Sequence, residues 1–68
     1  MYLNVMHLEV LADACEGGYR PDPGNKQEVT AVRELVAAGF LHADEDEFEL
    51  YSYEITDAGD EAFAAAFH

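Results

Sequence analysis

The side chains able to do chemistry in this chain are few and do not converge. His7, His42 and His68 are scattered without metal-ligand spacing, and Cys15 stands alone. The one serine, Ser52, lacks the Gly-x-Ser-x-Gly surroundings of a hydrolase nucleophile. Carboxylates are abundant, and Asp44, Glu45, Asp46, Glu47 and Glu49 crowd one short segment. That segment lacks the alternating ligands, central glycine and closing glutamate of a calcium loop, so it reads as a solvated charged run. No glycine-rich phosphate cradle is present. These absences predict a protein that is not an enzyme and holds neither cofactor nor metal.

The cationic side chains are grouped. Residues 20–33 hold Arg20, Lys26 and Arg33 against Asp22 and Glu28, a balance of +3 − 2 = +1. Residues 1–19 carry three acids and residues 34–68 ten, with no Lys or Arg in either stretch. Arg20, Lys26, Gln27, Thr30 and Arg33 are types suited to phosphate and base-edge contacts. Chance grouping, or neutralisation of the acidic segment across the fold, accounts for the same pattern.

The totals bound what these groups serve. Sixty-eight residues make one domain, residues 1–68, with a small core. Half the residues are hydrophobic, too many for a disordered chain, so folding is expected. The net charge of −12 repels a polyanion such as DNA and favours basic protein surfaces. Adaptation to a salty habitat accounts for the same acidity, since the chain has a single lysine, Lys26. No apolar run approaches the ~20 residues that span a bilayer. The opening residues lack a signal peptide's basic start and long apolar stretch. With one cysteine there is no internal disulfide, and a reducing cytoplasm is the expectation.

The elements that position these groups follow from periodicity. Residues Leu3 to Cys15 read as a helix, with Val5, Leu8, Leu11, Ala12 and Cys15 on its apolar side and His7 on its surface. On that pattern Cys15 is a buried, inert thiol. "YRPDPGN" reads as loop. A second helix starts at Asn25, with Glu28 placed for a capping box, and stops at Gly39, with Phe40 folding back onto Leu35. Val29, Val32, Leu35 and Val36 form its inner arc, and Lys26, Thr30 and Arg33 an adjacent flank. "FLHADEDEFELYSYEI" reads as a hairpin in which Leu41 and Ala43 alternate with His42 and Asp44, and Tyr53 and Ile55 with Ser52 and Glu54. The phase slips between Phe48 and Tyr51, which predicts a bulge or irregular tip near Leu50 or Tyr51. Thr56 or Asp57 caps a last helix whose apolar side is Ala62, Phe63, Ala66 and Phe67. Phe40, Tyr53, Phe63 and Phe67 are assigned to the core. Tyr19, Phe48 and Tyr51 are harder to bury and read as contact surface, remaining core, or a homodimer seam.

At this point "AVRELVAAGFLHA", a hairpin and "YEITDAGDEAF" resemble the second half of winged-helix regulators of the MarR and PadR type. Leu35 to Leu41 is similar to the turn that ends the family's recognition helix, and Ile55 to Gly59 to the junction after its wing. The likeness covers about Val29 to Phe63. It implies an α+β fold, a small winged-helix-like domain in the order helix–loop–helix–β-hairpin–helix. Two departures stand out. The ten residues "EGGYRPDPGN" replace the helix that would complete a helix-turn-helix, so the module is truncated. The wing tip is acidic where the family often carries Arg or Lys.

Two functional readings result, beside the bland one of a structural or dimerisation module. In the first, a basic protein partner binds the acidic hairpin side through Asp44, Glu45, Asp46, Glu47, Phe48, Glu49 and Tyr51, as a regulatory or phage-type inhibitor, including a DNA-mimicking one, would offer it. In the second, the chain is a DNA-binding regulator using Arg20, Lys26, Gln27, Thr30 and Arg33, its acidity reflecting habitat.

Overall fold

The computed structural model describes residues 2–45 and 51–67, and of Glu45 and Tyr51 the backbone alone. Helix α1 spans Val5–Ala14 and α2 Lys26–Ala37; strands β1 and β2 span Leu41–Glu45 and Tyr51–Ile55; helix α3 spans Asp57–Ala65. The strands form one antiparallel hairpin, so the chain is α+β in the expected order.

α2 packs on α1 around Val10, Leu11, Ala14, Ala31, Val32 and Leu35, and Leu41 of β1 closes the same cluster. Burial of these aliphatic groups is the main driving force available to so short a chain. α1 presents a different face from the expected one. Val10, Leu11 and Ala14 point inward, whereas Val5 and Cys15 are exposed. Val5, Ala12 and Cys15 share the periodic spacing, but α2 meets the neighbouring flank. His7 lies on that flank and is buried, not on the surface.

Each helix carries its own start signal. The Asn4 side chain accepts from the His7 backbone N–H at 2.9 Å, and His7 Nδ1 accepts from the Asn4 N–H at 3.0 Å. Two unpaired donors of the first turn are thereby satisfied reciprocally. Asn25 caps α2 by accepting from the Glu28 N–H at 3.2 Å. The reciprocal half of the expected capping box is absent, because the Asn25 N–H donates to the Asp22 carbonyl at 3.0 Å. Glu28 is thus released to accept from the Tyr19 hydroxyl.

α2 ends as its sequence predicts. Gly39 has φ 83, and the Phe40 and Gly39 N–H groups donate to the carbonyls of Leu35 and Val36 at 2.9 and 3.1 Å. This is a Schellman ending, which only a residue tolerant of the left-handed region adopts without strain.

The hairpin is in uninterrupted register from Leu41↔Ile55 to Glu45↔Tyr51. Tyr51 therefore sits in a regular pair and not in a bulge, while Leu50, the other position expected for one, lies outside the described residues. Tyr19 adds a short third row: its N–H donates to the Tyr53 carbonyl at 3.1 Å and its carbonyl accepts from the Tyr53 N–H at 2.8 Å. The rest of the connection from Cys15 to Asn25 holds no helix. At the far end, Ala62 and Phe63 of α3 are half-buried, but Phe67 is 68% exposed rather than part of the core.

Candidate interaction surfaces

The hairpin pairing decides which of its residues face solvent. Directly opposed residues share a face, so His42, Asp44, Ser52 and Glu54 line one side, and Leu41, Ala43, Tyr53 and Ile55 the other. The second side meets the core, which leaves His42, Asp44 and Glu54 exposed. His42 Nε2 stands 3.1 Å from Asp44 Oδ1, both side chains being more than half exposed. Glu45 and Tyr51 close the ladder. Asp46, Glu47, Phe48 and Glu49 lie outside the described residues, so of the proposed acidic surface only its base is placed.

The candidate cationic residues are brought together on α2. Lys26, Gln27, Thr30 and Arg33 are all exposed. At about 100° per residue Lys26, Thr30, Arg33 and Ala37 fall within an arc of about 60°, opposite the buried Leu35. Arg20 is exposed in the connection before α2 rather than on this stripe. Beside the stripe lies an open groove of about 560 Å³, walled by Asn4, Val5 and Met6 on one side and Lys26, Gln27, Thr30 and Glu34 on the other. On the other flank a smaller depression of about 300 Å³ is lined by Arg33, Val36, Ala37, Ala43 and Tyr53.

Sequence reasoning missed one polar centre. His7 is 4% exposed, and its Nε2 lies 3.2 Å from Glu34 Oε1. Because Nδ1 accepts a backbone N–H, the neutral ring carries its proton on Nε2 and donates it to Glu34. The signal was present: Asn4 precedes His7 by three residues, the spacing of a capping box.

Among the described residues two groups are electrostatically perturbed. Burial, followed by the hydrogen bond and charge of Glu28 and the charge of Asp13, pushes the Tyr19 hydroxyl well above its ordinary value. Partial desolvation and the carboxylates of Asp60 and Glu16 push the Cys15 thiol up. Cys15 is thus exposed, contrary to expectation, yet held away from the reactive thiolate. Among the described residues no group of three or more His, Cys, Asp or Glu side chains is placed to hold a metal ion. Among them also no helix is long and apolar enough to cross a membrane.

Compared with protein-family models, with curated proteins and with solved structures, the chain matches none.

Proposed function

We propose that this chain is a winged-helix-like interaction domain that binds a basic surface of another protein through the acidic side of its hairpin. The observation that carries this reading is the orientation of the hairpin. Its inner face is used by the core, so Asp44 and Glu54 project into solvent beside His42. Carboxylates displayed this way complement Lys and Arg on a partner and speed encounter. The winged-helix-like build rests on the order of elements and on the joint between the Gly39–Phe40 turn and the Thr56–Gly59 junction.

The test is affinity capture with the whole chain and with a variant in which Glu45, Asp46, Glu47 and Glu49 are replaced by their amides. A basic protein retained by the first and lost by the second is expected. Capture of no basic protein, or equal capture by both, overturns the reading.

A second reading, a DNA-binding regulator, is favoured by one observation, the outward stripe of Lys26, Thr30 and Arg33 with Gln27 beside it. With so few cations on the stripe, any affinity has a shallow salt dependence. Fluorescence polarisation with a mixed-sequence duplex over a range of salt decides it. Binding that Arg33→Ala abolishes supports the reading, and no binding at any salt excludes it.

A further inference from the structure

α3 and α2 each leave one face unpartnered, and the two faces are complementary. Asp60 and Ala64 of α3 and Phe67, two residues past its end, are exposed, and on the helical turn continued through the αR cap Ala66 they fall within an arc of about 60°, with Asp57 close by. Phe67 packs edge-on against Phe63, ring centroids 5.0 Å apart, and is otherwise open to solvent at 68% exposure. On α2, the depression between helix and hairpin is apolar through Val36, Ala37, Ala43 and Tyr53, with Arg33 the one charge among the described residues that line it. At about 300 Å³ it stands at the small end of ligand pockets, a size suited to one aromatic side chain.

We propose that this depression receives Phe67 from a second copy of the chain. With α3 of one copy laid parallel to α2 of the other and Phe67 level with Ala37, Asp60 comes level with Thr30 and Asp57 with Gln27. Helical side chains lean toward the helix N-terminus, so Arg33 and Lys26 are the cations nearest those carboxylates. An aromatic anchor in a pocket with a charged pair at its edge is the usual anatomy of a binding hot spot. Each copy carries both halves, so the contact made reciprocally closes a pair. A net charge of −12 on each copy opposes association, which places it at salt concentrations that screen long-range repulsion. The contact covers Arg33, so a pair does not present that side chain to nucleic acid.

Sedimentation velocity under reducing conditions, at roughly 0.3 M potassium chloride and up to roughly 0.5 mM chain, tests this. A species of twice the 7.5 kDa chain mass is expected. Phe67→Ala and Arg33→Glu should each weaken association roughly tenfold or more, and Arg33→Glu with Asp60→Arg should restore it. Far-UV circular dichroism checks that each variant is folded; Phe67→Ala removes an exposed side chain and supplies the arm least exposed to misfolding. A monomer at every concentration overturns the proposal. So does association that Phe67→Ala leaves unchanged.

Discussion

The hydroxyl of Thr56 donates to the Gly39 carbonyl at 2.6 Å and accepts from the Gly59 N–H at 3.0 Å. The Thr56 N–H adds a bond to the Phe40 carbonyl at 3.0 Å. One side chain thus caps α3 and fastens it to the turn that ends α2, seventeen residues away. Thr56→Val should cost about 2 kcal/mol, the sum of a lost cap and a lost tertiary hydrogen bond, while Thr56→Ser keeps most of it. Urea unfolding followed by circular dichroism measures both.

Two glycines at this joint should fail for different reasons. A Cβ on Gly59 would meet the Phe40 carbonyl oxygen at 2.1 Å and Ile55 Cγ1 at 2.9 Å, so backbone must move. A Cβ on Gly39 meets nothing within 4 Å, but φ +83 disfavours any L side chain. Gly39→Ala should cost about 1–2 kcal/mol. Gly59→Ala should cost more than that, about 3 kcal/mol or above. A domain of this length has about 3–10 kcal/mol in total, so Gly59→Ala should be largely unfolded in a thermal melt.

His7 and Asn4 should behave as one unit. Each is donor and acceptor to the other, and His7 also reaches Glu34 of α2. Asn4→Ala should cost about 1 kcal/mol and His7→Ala about 2–3 kcal/mol. The double variant should be less destabilised than the sum, because both changes remove the same bonds. Chemical denaturation of the four forms reads the coupling.

Tyr19 supplies a pH signature. Its hydroxyl is raised in the folded chain by burial first and by Glu28 second, so between the ordinary value and the raised one the folded chain keeps a proton that the unfolded chain loses. Stability should therefore be full below about pH 10 and fall as pH rises beyond it. Tyr19→Phe should remove this part of the alkaline slope and cost about 1 kcal/mol at neutral pH through the lost bond to Glu28. Melting temperatures from pH 8 to about 11 compare the two.

With a net charge of −12, carboxylates repel one another throughout the folded surface. The melting temperature should rise with potassium chloride, most steeply below about 0.15 M, as the Debye length shortens to about 8 Å. Replacing Glu45, Asp46, Glu47 and Glu49 by amides should flatten that rise.

Local signals in the sequence determined much of this protein. Asn25, the Gly39–Phe40 ending, the alternation of Leu41, Ala43, Tyr53 and Ile55, and the Thr56 start each act through neighbours within a few residues, so the chain alone specifies them. The acidic excess is likewise set by the sequence alone. Tertiary structure decided which flank of α1 faces α2. Periodicity offers two overlapping stripes there, and only the packing of Val32 and Leu35 against Val10 and Leu11 selects one. That choice buried His7, exposed Cys15 and turned Val5 outward. The same dependence on distant contacts set Tyr19 beside Tyr53 and diverted Glu28 to the Tyr19 hydroxyl, because each outcome joins elements that no local pattern connects, and Phe67, which the pattern assigned to the core, stayed in solvent.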